Sequence, residues 1–185
     1  MFLVFYLFLV SPSAADPAYI SLAERLSANP SHARILQETT SVVVDFSIPL
    51  DQKRLFVLDN KNKQILQSFH VGHAYRTGDM KANRFSNTRN SRKSSLGLFV
   101  LTKKYNSRFF DYSYRLKGLD KTNNNAMKRG IVIHEQGDYP GEILPTNSRQ
   151  RYYQLLTDGC FSLFPADIIK LSVHLNPGLM ILAIK

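Results

Sequence analysis

Three short runs rich in β-branched, leucine and aromatic residues follow one another early in the chain: Val42 to Ile48, Arg54 to Asp59 and Gln64 to Val71. Pro49-Leu50-Asp51-Gln52 and Asn60-Lys61-Asn62-Lys63 separate them. Extended runs this short, divided by turn-forming residues, pair most simply as an antiparallel meander. Leu96 to Thr102, Tyr112 to Leu116, Gly130 to His134 and Leu179 to Ile184 are further runs of the same kind. Helical patterning is confined to the two flanks. Ala18 to Thr40 carries Leu22, Leu26, Ile35 and Leu36 as its apolar positions, with a break at Asn29-Pro30. A second helix is predicted to start at Pro165, to present Ile168, Ile169, Leu171 and Leu175, and to stop at Asn176-Pro177-Gly178. The expected class is mainly β with minor α.

The N-terminus reads as an address. Met1 to Val10 is apolar, Ser11-Pro12 interrupts it, and Ser13-Ala14-Ala15 supplies the small residues of a cleavage site. A membrane span needs about 18 or more apolar residues, and this run is shorter. The predicted organisation is a signal peptide over 1–15, a helical segment or linker over 16–40, and one catalytic-sized domain over 41–185. The 24 Lys and Arg against 14 Asp and Glu give a formal charge of +10. Such a balance favours an anionic partner, and export makes nucleic acid the weakest candidate and an anionic cell wall the strongest. No Walker-type loop, dinucleotide fingerprint or His-Glu-x-x-His occurs, so no cofactor is expected.

Cys160 is the single cysteine, in Thr157-Asp158-Gly159-Cys160, downstream of the apolar run Ile131-Val132-Ile133-His134. An exported protein with one cysteine cannot form an internal disulfide. The thiol is then a buried core residue, a metal ligand, an intermolecular partner or a nucleophile. A neutral thiol attacks poorly near pH 7, so a nucleophilic cysteine needs an imidazole or backbone dipoles to favour its thiolate. His134 suits that role because the end of an apolar strand holds a ring rigidly. Gly159 permits close backbone approach, and amides around residues 158 to 160 could receive an oxyanion. Asp158 reads most simply as a turn residue.

The other histidines carry weaker signals. His70 and His73 fall on opposite faces of an extended segment, so they are not expected to chelate one metal. A zinc site built from Cys160, His134 and His73 lacks any close ligand pair, and no metal is expected. Gly78 to Ser95, rich in Arg, Lys, Asn and Ser, is long for a plain connection and reads either as a binding loop or as a mobile basic surface. Tyr105, Phe109, Phe110, Tyr112 and Tyr114 interleave with Lys and Arg, a pattern compatible with glycan stacking and equally with a core.

Several short motifs, taken in order, resemble the murein L,D-transpeptidase catalytic domain family within the YkuD-like group. They are Val44-Asp45-Phe46-Ser47, Lys53 to Asp59, Val71-Gly72-His73, Phe85-Ser86-Asn87, Ser94-Ser95-Leu96-Gly97, Leu116 to Asp120, Ile131 to His134 and Gly159-Cys160. The resemblance covers residues 41–185 and implies a YkuD-like β-sandwich and cysteine acyl transfer on peptidoglycan stem peptides. It makes Cys160 the nucleophile, His134 the catalytic histidine and Gly159 the glycine before the nucleophile, with His73 lining the cleft. Two departures stand out: the wider group places a histidine before the Gly-Cys pair and an arginine soon after it, whereas this chain has Asp158, then Phe161 and Ser162; and the separation of His134 from Cys160, 160 minus 134 or 26 residues, exceeds the shorter spacing common in that group. Arg149 and Arg151 are the substitutes for the missing arginine. The expected activity is L,D-transpeptidation by an exported, periplasmic or wall-associated enzyme. L,D-carboxypeptidation with water as acceptor, and a noncatalytic wall-binding protein of the same fold, are the alternatives.

Overall fold

The protein is described by a computed structural model covering residues 14–108, 110–136 and 149–185, with the side chains of Arg149 and Gln150 left out. The apolar N-terminal stretch, Phe109 and residues 137–148 lie outside the described residues. Eight strands form one sheet: β1 (Thr40–Asp45), β2 (Leu55–Asp59), β3 (Gln64–Phe69), β4 (Gly97–Lys104), β5 (Ser113–Gly118), β6 (Val132–Glu135), β7 (Phe161–Leu163) and β8 (Met180–Ile184). The helices are α1 (Pro17–Ser27), α2 (Pro30–Ala33), α3 (Ala126–Arg129) and α4 (Pro165–Ser172), with 3-10 turns at Arg34–Gln37 and Arg149–Leu155.

The spatial order is β3-β2-β1-β8-β4-β5-β6-β7. The predicted meander is present as β1, β2 and β3, paired antiparallel. Two pairings are parallel, β1 with β8 and β6 with β7. Alternation sorts the side chains onto two faces. Val42, Val44, Leu55, Val57, Phe99, Leu101, Ile181 and Ala183 meet Ile133, Phe161, Leu163 and the Ile168–Leu171 face of α4 in the main core. Val43, Leu58, Leu98, Leu182 and Ile184 face the other way and are covered by Tyr19, Leu26 and Ile35. The region expected as helix or linker therefore packs on the sheet. Asp16 caps α1, Asn29 caps α2, and each is followed by a proline in the first turn. Arg25 of α1 meets the buried Asp45 carboxylate at 2.5 Å.

The sheet curls until its two edge strands meet. The chain leaving β3 runs along β7, with Gly72 N–H donating to Ser162 O (2.8 Å), Thr157 N–H to His73 O (3.0 Å) and Tyr75 N–H to Thr157 O (2.9 Å). One sheet thus supplies both layers around the main core, which is how the expected β-rich class is realised. Arg54, fully buried, ties this closing segment to the sheet: Nε and Nη2 donate to Val71 O, Nη1 to Ile48 O and Nη2 to His73 Nδ1.

Three elements differ from the sequence expectation. Gly130 is not in a strand but in the left-handed conformation at φ 70°, ending α3 with Ile131 N–H on Ala126 O and Gly130 N–H on Met127 O. β6 therefore begins at Val132. β7 is only three residues long, too brief for its alternation to register in the sequence. The last helix ends at Ser172, before Asn176-Pro177-Gly178, because His174 and Leu175 turn back through hydrogen bonds to Leu171 and Ser172.

Closure of the sheet leaves no room at Gly72, where an added Cβ would run into the Leu155 carbonyl and the Ser162 hydroxyl. Gly72→Ala is expected to destabilise the protein by about 1–3 kcal/mol or more. Urea denaturation monitored by circular dichroism checks this, and an unchanged midpoint would mean that the edges need not stay together.

Candidate active site

The parallel pairing of β6 with β7 puts the two sequence-predicted reactive residues on one face of the sheet. Ile133 faces Phe161 across the pair and His134 faces Ser162. Ile133 and Phe161 point into the core. By alternation His134 and Val132 point to the opposite face, together with Ser162 and Cys160, which precedes β7 by one residue.

His134 is 7% exposed and held in a defined orientation. Its Nδ1 lies 2.5 Å from Glu135 O. A carbonyl can only accept, so Nδ1 carries the proton and Nε2 is left with its lone pair, the tautomer a base requires. Phe110, on the β4–β5 connection, stacks on the ring at 4.1 Å and 25°. Asp111 N–H donates to the Glu135 carboxylate at 2.6 Å and secures that connection to β6. Burial keeps the imidazole below its ordinary pKa, opposed by the Glu135 carbonyl, so the ring is neutral near pH 7.

Cys160 sits at the mouth of a tight turn. Thr157 Oγ1 accepts from Gly159 N–H (3.1 Å) and donates to Cys160 O (2.9 Å). Gly159 adopts φ 143°, and a Cβ there would lie 2.8 Å from Ile131 Cδ1 and 3.1 Å from Arg129 Nη2. The thiol donates to Gly130 O at 3.7 Å, so at rest it is hydrogen-bonded to the end of α3. The residue keeps part of its surface open. The thiol is nonetheless pushed up to about 11, by burial first and by Asp158 in addition, while the Val132 backbone and Arg129 pull it down. It is therefore neutral at rest, and any reaction needs a base to take its proton.

Arg129 is a site residue without a sequence motif to announce it. Nη1 donates to Ser86 O (2.8 Å) and Ser95 Oγ (2.6 Å), and Nη2 to Lys93 O and Ser91 Oγ. All four acceptors are uncharged, so a half-buried cation abuts Gly159 without a carboxylate on it. The only hint in the sequence is its place just before the helix-stopping Gly130.

The remaining candidates lie elsewhere. His73 is fully buried, with Nδ1 accepting from Arg54 Nη2 (2.7 Å) and Nε2 donating to Gly78 O (3.1 Å). Burial and the Arg54 charge push it down to about 4. With both nitrogens occupied in the core, it braces the sheet closure and does not line the cleft, a correction to the sequence expectation. His70 faces the other way, against Tyr152 (4.9 Å) and Phe164 (6.2 Å), as alternation requires. Arg151 stacks over Tyr152 and Phe164 at 5.1 and 4.9 Å, at the far end of β7 from Cys160. The backbone of Arg149 belongs to the same 3-10 turn, and its side chain lies outside the described residues. Among the described residues no three His, Cys, Asp or Glu side chains cluster as a metal site requires.

A thiol held near 11 gives a direct test. Alkylation of Cys160 by iodoacetamide is expected to rise about tenfold per pH unit from 8 to 10, without levelling near the free-thiol value of about 8.5. Mass spectrometry of the quenched protein measures the rate, and a plateau at neutral pH would show that the resting thiol is already ionised.

No curated protein matches the chain. Among solved structures, an Enterococcus faecium L,D-transpeptidase carrying a cysteine-to-serine substitution aligns at 13% identity and TM-score 0.47, covering 79% of this chain and 50% of that one. An L,D-transpeptidase from Mycobacterium smegmatis aligns at 11% identity and TM-score 0.46, covering 78% and 58%. One from Stackebrandtia nassauensis aligns at 14% identity and TM-score 0.47, covering 90% and 75%. This chain thus spans about half the length of the Enterococcus protein. The family profile described as the L,D-transpeptidase catalytic domain matches residues 14–183, nearly the whole sequence, and on that match the chain belongs to the L,D-transpeptidase catalytic domain family.

Proposed function

We propose that the protein is an exported cysteine acyltransferase that cross-links peptidoglycan stem peptides by L,D-transpeptidation. The observation that carries this reading is the shared face of β6 and β7, with Cys160 and His134 on it and the imidazole held in the Nδ1-protonated tautomer. In the proposed cycle His134 Nε2 takes the Cys160 proton, and the thiolate attacks the carbonyl carbon of the diaminopimelate–D-alanine bond. The Cys160 amide and the Arg129 charge would favour the tetrahedral oxyanion. The imidazolium then protonates the departing D-alanine amine as the C–N bond breaks, leaving a thioester. An amine of a second stem peptide attacks the thioester and gives up its surplus proton to His134; as the C–S bond breaks the imidazolium passes that proton to the departing sulfur, restoring the neutral thiol and imidazole.

The neutral resting thiol suits this scheme. A site in which the proton moves only when substrate is aligned keeps the sulfur protonated between turnovers. Export and a wall location rest on the Met1 to Ala15 pattern, and the charge of +10 supports encounter with an anionic wall.

Incubation of the purified protein with defined tetrapeptide muropeptides, followed by mass spectrometry, tests the reading. Cross-linked dimers are expected, whereas trimmed monomers alone would indicate hydrolysis and no change would indicate a noncatalytic wall-binding protein. Cys160→Ser should abolish the product, and His134→Ala should slow its formation by about two orders of magnitude or more. Full turnover in the His134 variant would remove the imidazole from the mechanism.

A further inference from the structure

We propose that the recess lined by Arg89, Asn90, Arg92, Lys128, Arg129 and Asp158 is an anion subsite adjoining Cys160, built to take a carboxylate of the peptide that reacts there. Its identification with a stem-peptide carboxylate rests on the transpeptidase reading; the preference for an anion beside the thiol does not.

The recess has a volume of about 390 Å³ and opens between the basic loop and the end of α3. Its inner wall is the nucleophile turn: Asp158 and Arg129 both line it, Arg129 Nη2 abuts Gly159, and Cys160 bonds to the Gly130 carbonyl next to Arg129. Four cations and one carboxylate therefore face a space bounded by the turn that carries Cys160. The Asp158 carboxylate meets Arg92 Nε only at 3.9 Å and is 70% exposed, so it offsets little of that charge.

The polar stretch from Gly78 to Ser95, whose composition suits a binding loop and a mobile surface alike, is pinned in place. Asn87 Nδ2 donates to Lys121 O (3.0 Å) and Asn124 Oδ1 (2.7 Å), and Asn87 Oδ1 accepts from Asn125 N–H (3.1 Å). Ser94 N–H donates to Thr77 Oγ1 (2.7 Å), and Arg129 holds the carbonyls of Ser86 and Lys93. Between these anchors Asn90 and Arg92 adopt φ 61° and 53°. Arginine rarely occupies that region, and its presence marks a backbone constrained by its surroundings. Arg92 lines the recess, and its guanidinium is held by a hydrogen bond to Tyr75 OH at 2.6 Å. A planar fork and a lysine converging on one open space match a carboxylate.

Two alkylating agents that differ only in charge test the subsite. Iodoacetate carries a carboxylate and iodoacetamide does not, and both lose iodide as the Cys160 sulfur bonds to their methylene carbon. At pH 9 and 0.15 M salt, Cys160 is expected to react with iodoacetate faster than with iodoacetamide, with a rate that saturates. The ratio of the two rates cancels any change in the thiol itself. Arg92→Gln and Lys128→Gln should each lower that ratio about fivefold, the order of one solvent-exposed ion pair. Asp158→Asn should raise it. Lys61→Gln, on the distant β2–β3 turn, controls for net charge and should leave it unchanged.

A ratio insensitive to Arg92 and Lys128, or lowered as much by Lys61→Gln, would overturn the subsite. Stronger protection by inorganic phosphate than by acetate would overturn the carboxylate assignment. If Cys160 resists both reagents, titration with acetate is expected to shift the amide resonances of Asp158 and Gly159 while acetamide leaves them in place, and equal responses to the two would again overturn the subsite. A retained ratio without any muropeptide product would instead sink the transpeptidase reading while leaving the subsite standing.

Discussion

Closure of the sheet is the constraint on which the rest of the molecule depends. β7 is three residues long and would be a poor edge strand on its own. It is held between β6 on one side and the segment after β3 on the other, by the parallel pairing of His134 with Ser162 and the Gly72-to-Ser162 hydrogen bond. Parallel pairs need a long crossover. Here the crossover passes through the residues between 136 and 161, and it delivers Cys160 to the mouth of β7. Arg54 completes the closure from within, where burial pulls its guanidinium down to about 9 against the opposing pull of Asp45 and Asp51. A buried arginine is costly unless its donors are satisfied, and carbonyls of Ile48 and Val71 and the His73 ring satisfy them.

That closure also sorts the histidines by role. His73 lies inside the closed sheet, where burial and the neighbouring Arg54 charge keep it neutral. His134 lies on the face outside the main core, with one nitrogen fixed by a carbonyl and the other unassigned by any such bond. His73 has both ring nitrogens committed to the fold, whereas His134 commits Nδ1 to the Glu135 carbonyl. The same reasoning separates the arginines. Arg151 rests on aromatic faces, Arg54 is enclosed by carbonyls, and Arg129 carries its charge to the nucleophile turn with only neutral acceptors around it.

Electrostatics around Cys160 run in two directions. Desolvation favours the thiol, and the basic surroundings favour the thiolate. In the resting protein desolvation prevails. Arg129, the cation that opposes it, is held by hydrogen bonds to Ser86 O and Ser95 Oγ.

Most of the elements were legible in the sequence because their signals are local. The strand runs are rich in β-branched, leucine and aromatic residues, the turns between the first three contain Asn, Lys and Pro, and Asn29-Pro30 interrupts the N-terminal helical pattern. Cys160 and His134 were legible too, as a lone thiol behind glycine and a histidine ending an apolar run. Tertiary structure alone decided that β6 and β7 pair in parallel, that His73 turns inward, and that the terminal helix stops short of its proline. It alone brought Arg129 and the loop around Arg89 and Arg92 to the turn that carries Cys160. These depend on contacts between residues far apart in the chain, and no periodicity or local propensity records which distant partner a charged side chain will meet.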